Sequence, residues 1–252
     1  MPAQLIVVGL SHRTAPIALR ERLAVPERQL GEQLAGLMQQ ALLSEGVLVS
    51  TCNRVELIGA GNDPLAAAEA VIACFNRRAA PHAVDALVYR LQGRDAVRHL
   101  FRVASGLDAM VLGEPQILGQ IKEAFAVAQG SGQVGTLLGR CFDKAFGVAK
   151  RVRSETAIAE GCVSVSSVAC KLAEKIFGEL SGRRVLLVGA GKMSELSARS
   201  LAAHGALLTV INRSSERAAQ LAQSCGGEPR PFDALASELA KADVVIPSTA
   251  SP

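Results

Sequence analysis

The sequence predicts an α/β chain in two parts, a ferredoxin-like α+β domain followed by an incomplete doubly wound sheet of the Rossmann type. Three observations carry this. Short β-branched runs alternate with helix-length segments in the order β-α-β-β-α-β across residues 5–91. Further on, Val185-Leu186-Leu187-Val188 passes directly into Gly189-Ala190-Gly191 and a helical segment. Hydrophobic residues make up 49% of the 252, against 20% charged, enough for two buried cores. The division is expected between residues 1–156 and 157–252.

The first strand is Leu5 to Leu10, by its run length and β-branching. It ends in the polar turn Ser11-His12-Arg13-Thr14-Ala15-Pro16. Helices follow over Ile17–Ala24 and Glu27–Leu43, with Pro26 at the boundary. Gly46–Val49 and Val55–Ile58 are the next strands, Pro64–Arg77 an alanine-rich helix, and Val88–Leu91 the fourth strand. Asp95–Ala104 reads as a helix with an apolar stripe of Val97, Leu100, Phe101 and Ala104. His99 then projects away from that stripe, while Arg94, Arg98 and Arg102 recur every four residues as a basic ridge. Pro115 suits a first helical position, ahead of a stripe of Ile117, Ile121, Phe125 and Ala128, with Gln116 and Gln120 on another face. Helices over Leu137–Arg153 and Cys162–Phe177 lead to the glycine turn.

Composition excludes several classes. No apolar run approaches the roughly 18 residues that span a bilayer, and the first residues show no basic leader, so a cytoplasmic protein is expected. The six cysteines (52, 74, 141, 162, 170 and 225) form no Cys-x-x-Cys pair and no zinc spacing, so no metal is expected. A net charge of +4 permits a nucleic-acid partner. With 3% aromatic residues and no Trp, contact with RNA would run through phosphates rather than stacked bases.

Ser50-Thr51-Cys52-Asn53-Arg54 joins two strands and so places a thiol, an amide and a guanidinium at what reads as an exposed tip. A cation beside a thiol lowers its pKa, and Arg can grip a carboxylate with two parallel hydrogen bonds. Cys52 as a nucleophile beside a carboxylate clamp stands against Cys52 as a small hydrophobe ending a strand. In the second half, Gly189 allows a tight turn and Gly191 lets backbone approach a pyrophosphate at a helix N-terminus, here over Lys192, Met193 and Ser194. Ser194 replaces the fingerprint's third glycine. At the end of the second strand, Leu207–Ile211, stand Asn212 and Arg213; an Arg there suits the 2′-phosphate of NADP, where NAD calls for an acidic residue.

Four blocks in this chain resemble the glutamyl-tRNA reductase family: Val8 to Pro16, Ser50 to Arg54, Leu112 to Gln120 and Gly189 to Met193. The resemblance implies an NADPH-dependent reduction of glutamyl-tRNA(Glu) to glutamate-1-semialdehyde at the head of tetrapyrrole synthesis. It implies Cys52 as nucleophile forming a thioester, His99 as a second catalytic residue, and a substrate pocket of Thr51, Asn53, Arg54, Ala109, Glu114, Pro115, Gln116 and Gln120. Ala109 departs from the Ser that many relatives carry. In the family a spinal helix and a homodimerisation domain follow, outside this chain, and an aminomutase takes the aldehyde. A dehydrogenase of the shikimate type, with Cys52 structural, and a non-enzymatic fragment that binds tRNA are the alternatives.

Overall fold

The computed structural model describes residues 3–159 and 165–248. It falls into two compact units, Met1–Cys162 and Val163–Pro252.

In the first unit four strands, β1 (Gln4–Ser11), β2 (Glu45–Ser50), β3 (Arg54–Gly61) and β4 (Tyr89–Gln92), form one sheet in the order β2-β3-β1-β4. Every neighbouring pair is antiparallel, which gives the expected ferredoxin-like sheet. Helices α1 (Ile17–Leu23), α2 (Leu30–Gln40) and α3 (Pro64–Ala79) fill the connections. Helices α4 (Gly93–Ala104), α5 (Gln116–Gly130) and α6 (Thr136–Glu155) follow the sheet. Helix α3 packs on β1 and β3, α4 on β1, and α5 on β2, so β3 is buried along its whole length. A strand covered on both faces cannot keep a polar face in water; the polar residues of β3 must find partners inside.

The start of α6 is fixed from the sheet. Glu45 of β2 accepts hydrogen bonds from the backbone N–H groups of Gly135, Leu137 and Leu138, at 3.1, 3.1 and 2.7 Å. A carboxylate there satisfies donors that have no partner within the helix and favours its positive end. Helix α3 is capped in the usual way, by Asp63 on the N–H of Ala66.

Two elements depart from the sequence reading. The buried residues of α4 are Ala96, Leu100, Val103 and Ala104, so the buried face is turned toward Ala96 and Val103. Val97 and Phe101 are only partly buried. A short helix with this many apolar residues fits two phases, and the packing on β1 selects this one. Pro115 is the residue before α5 rather than its first.

The second unit holds α7 (Val165–Phe177), then β5 (Arg184–Val188), α8 (Lys192–Ala203), β6 (Leu207–Ile211) and α9 (Ser215–Cys225). After these come β7 (Glu228–Arg230), α10 (Leu235–Leu239) and β8 (Val244–Pro247). All strands are parallel, in the order β7-β6-β5-β8. The order reverses beside β5, and that reversal point, at the carboxyl ends of the strands, is where doubly wound sheets take ligands. Helix α8 begins at Lys192, three residues before the expected Glu195, so Lys192, Met193 and Ser194 form its first turn. Cys162, expected to open α7, lies outside the described residues.

Candidate functional site

The turn between β2 and β3 is held by its own threonine. Thr51 Oγ1 accepts from the N–H groups of Asn53 and Arg54, both at 3.2 Å, and Thr51 N–H donates to the Arg54 carbonyl at 2.8 Å. These bonds leave Cys52 exposed at the apex. From below, Arg20 of α1 donates to the Cys52 carbonyl and to Asn53 Oδ1, the latter at 3.3 Å. The His12 N–H meets the Asn53 carbonyl at 2.8 Å, joining the first polar turn to the second.

Arg54 does not share the exposed tip. Its exposure is 0%, because the first residue of β3 points into the covered sheet. Glu56, two residues on, faces the same side of the strand, and the Arg54 guanidinium pairs with it. Arg54 also reaches the carboxylate of Asp108 at 3.1 Å and donates to the Asp108 carbonyl. Asp108 in turn meets Arg13 at 3.2 Å. Tyr89 of β4 donates its hydroxyl to Glu56, and His99 Nε2 lies 3.1 Å from Glu56 Oε2. The Tyr89 and His99 rings pack with centroids 5.3 Å apart. The Arg54 guanidinium expected to be open is thus largely engaged, and among the described residues its Nε has no partner. His99, expected to project freely, is tied to Glu56, because the turned face of α4 brings it to the border of the core.

The electrostatics follow from this pairing. Burial alone would raise the Glu56 pKa, but Arg54, with His99 and Tyr89, pulls it down to about 2. Burial opposes the charge on Arg54, and Glu56, Tyr89 and Asp108 outweigh it. Tyr89 is pushed upward by burial and by Glu56, so it stays a donor. Burial and the nearby Arg54 lower His12.

Cys52 runs against expectation. Surrounding protein and the Glu114 carboxyl raise its pKa, and Arg20 opposes them. The expected activating cation, Arg54, points inward, so the guanidinium that acts on the thiol is Arg20. Glu114 itself is nearly buried and its pKa is raised by that burial. It ends a loop closed by the Gly113 N–H on the Gly106 carbonyl at 3.0 Å, where Gly106 has φ +74° and Gly113 φ +79°. Ala109 is half-buried on that loop, Pro115 is exposed, and Gln116 and Gln120 are half-buried on one face of α5, as their spacing requires.

Sequence reasoning missed Arg20, Glu56, Tyr89 and Asp108. Of these, only Glu56 carried a visible signal, as an acid two residues from Arg54 in a strand. Arg20 is 32 residues from Cys52, and nothing local joins them.

In the second unit the glycine turn fits a dinucleotide. Gly189 has φ +110°, open only to glycine without strain. Among the described residues, a Cβ on exposed Gly191 would meet no atom within 4 Å beyond its chain neighbours, so space stands open beside the N-terminus of α8. That helix begins without a side-chain cap. Ser194 is fully buried, filling the close-packing place of the missing third glycine. Ala190 is half-buried and packs against the core of the unit. Asn212 bonds the Ser214 carbonyl at 3.1 Å, and Arg213 is exposed at the end of β6.

A parallel sheet of this order with a glycine turn at its reversal point defines the class of nicotinamide-nucleotide oxidoreductase folds. In agreement, residues 171–252 match the family model described as shikimate / quinate 5-dehydrogenase, and residues 8–156 match glutamyl-tRNAGlu reductase, N-terminal domain. The chain belongs to the glutamyl-tRNA reductase family. It is 48% identical to a glutamyl-tRNA reductase of Syntrophotalea carbinolica, over 98% of this chain and 56% of that protein. To one of Magnetococcus marinus it is 49% identical, over 98% and 60%. The solved glutamyl-tRNA reductase from Methanopyrus kandleri superposes with a TM-score of 0.59 at 38% identity, covering 98% of this chain and 59% of that one. The chain thus spans little more than half the length of these relatives. Among the described residues, no helix is long and apolar enough to cross a membrane.

Proposed function

We propose that this chain carries the thioester-forming half and a nucleotide-binding part of an NADPH-dependent reductase that converts glutamyl-tRNA(Glu) to glutamate-1-semialdehyde. Residues 1–156 would be the catalytic, tRNA-binding domain and 157–252 the NADPH-binding domain. The observation that carries the reading is Cys52, exposed at the apex of a turn that neighbouring residues hold rigid.

The Cys52 thiolate attacks the ester carbonyl carbon. A C–S bond forms, the bond to the ribose oxygen breaks, and that oxygen takes a proton as the tRNA departs. His99 donates it through Nδ1, the ring nitrogen that Glu56 does not hold. Glu114 receives the substrate's α-ammonium, which cancels the negative charge that otherwise opposes thiolate formation. Asn53 and Thr51 orient the turn, and Gln116 and Gln120 line the approach with amides. Arg54, buried and paired with Glu56 and Asp108, would reach the substrate's side-chain carboxylate only by giving up a partner in that cluster, a weaker clamp than an open guanidinium. When bound, the nicotinamide supplies the hydride that takes the thioester to the aldehyde. Gly189, Ala190, Gly191, Lys192, Met193 and Ser194 would cradle its pyrophosphate, with Asn212 and Arg213 on the 2′-phosphate side, hence NADPH.

The ridge of Arg94, Arg98 and Arg102 is exposed on α4, and none of the three forms an ion pair among the described residues; it would follow the phosphates of the tRNA. The proposed setting is the cytoplasm, where an aminomutase would take the product. A homodimer would form through a region outside this chain. The test is a single-turnover mixture with glutamyl-tRNA, read by intact mass. A glutamyl adduct on the wild type that is absent from Cys52→Ser is expected. No adduct on either would end the nucleophile assignment.

A further inference from the structure

We propose that Arg20 is a positioning residue for the Cys52 nucleophile, holding its turn and supplying the counter-charge toward which the thiolate forms. The inference rests on Cys52 being the nucleophile. Arg20 is 6% exposed. Its Nε donates to the Ala15 carbonyl at 3.2 Å, and Nη1 donates to the Cys52 carbonyl and to Asn53 Oδ1. All these acceptors are neutral. Among the described residues no carboxylate forms an ion pair with Arg20, whereas Arg54 has two.

A buried guanidinium without an anion is an expensive arrangement, since desolvation of the charge is not returned by a partner. The bonds alone do not call for it. A neutral amide in the same place could donate to the Cys52 carbonyl without the charge. What the charge adds is an attraction for negative charge at the turn it grips, and the group there that becomes negative is the Cys52 thiol. The two charged groups that act on that thiol oppose each other, Glu114 disfavouring the thiolate and Arg20 favouring it. Arg20 and Glu114 come from different elements, α1 and the loop before α5. The thiol is therefore under the opposed influence of a fixed cation and a carboxyl, and substrate binding at the carboxyl would leave the cation in command.

The experiment measures the rate of Cys52 alkylation by iodoacetamide from pH 6 to pH 10, with the modified cysteine located by peptide mass. It compares the intact chain as wild type, Arg20→Gln and Arg20→Lys, with a thermal melt of each. Arg20→Gln keeps a donor and loses the charge. Its alkylation midpoint is expected to rise by about one pH unit, so that the rate below the midpoint falls about 10-fold. Arg20→Lys keeps the charge and is expected to stay within about 0.3 unit of the wild type, a difference of about 2-fold. An Arg20→Gln profile that superimposes on the wild type would show a purely structural residue and overturn the proposal, whatever the melt shows. Should Arg20→Gln not fold, Arg20→Lys decides alone, because a midpoint raised by about a full unit there also overturns it. Failure of the nucleophile reading looks different: the glutamyl adduct would be missing from the wild type while the alkylation profiles remained measurable.

Discussion

The two units use charge in opposite ways. In the first, Arg54, Glu56, Asp108, Tyr89 and His99 turn inward upon one another, and the Arg54 and Glu56 side chains are each 1% exposed. In the second, the ion pairs lie outside: Arg199 with Glu195, Arg230 with Glu228 and Lys241 with Glu238, their arginines and lysine about half-exposed or more. Exposed pairs of this kind contribute little, about 0–1 kcal/mol each. The core of the first unit thus holds charged groups that depend on one another for partners. The second has an apolar core and keeps its polar chemistry for a ligand at an open glycine turn. One site is built by pairing charges, the other by leaving space.

The sharpest way to break this contrast is Arg54→Met. It leaves Glu56 buried with only Tyr89 and His99 as partners, and a loss of about 3–5 kcal/mol of stability is expected, read by denaturant unfolding. A loss under about 1 kcal/mol would mean the cluster is better solvated than its burial implies.

Acid probes the same cluster more gently. Glu56 has a folded-state pKa of about 2 against an ordinary 4.5. Its contribution is therefore complete above about pH 4.5 and is lost as the pH falls toward 2, where the carboxylate protonates in both states. Glu56→Gln should be destabilised at pH 7 and converge on the wild type near pH 2. Parallel stability curves would refute the assignment.

The smallest effect on folding is expected at Gly191→Ala. Among the described residues, the added methyl meets no atom within 4 Å beyond its chain neighbours, so the melting curve should stay within about 0.5 kcal/mol of the wild type. NADPH affinity, followed by nucleotide fluorescence, should nonetheless fall about 10-fold or more, which corresponds to about 1.4 kcal/mol. Equal affinity in the two proteins would remove the turn from the site.

Much of this was legible in the sequence, and what was not has physical causes. The strands of the first sheet, with β5 and β6 of the second, could be read because β-branched runs ended in polar turns, and the glycine turn because it lay between a strand and a helix. The ferredoxin-like order followed from the succession of elements. Segments 215–225 and 228–230 were passed over; Ser214 does cap α9, accepting from the Arg217 N–H at 3.4 Å, but the three-residue β7 has no hydrophobic pattern. The inward course of Arg54 could not be read locally. Alternation places Arg54 and Glu56 on one face, yet only the helices packed over the sheet decide that this face is dry. His99 was misplaced for a similar reason, since the phase of α4 is chosen by the strand beneath it. Arg20 was invisible because its partners are brought to it by the fold alone.

Gly9 gathers these threads. It sits in β1 directly between Glu56 on one neighbouring strand and Tyr89 on the other. A Cβ there would lie 2.6 Å from the Val55 carbonyl oxygen and 2.7 Å from Glu56 Cγ. By carrying no side chain, the middle strand leaves a notch through which its two neighbours join hands. Improving the apolar packing at position 9 would therefore compete directly with the acid–phenol link that crosses it. At this one carbon, a better hydrophobic core and the polar cluster around Glu56 are mutually exclusive designs.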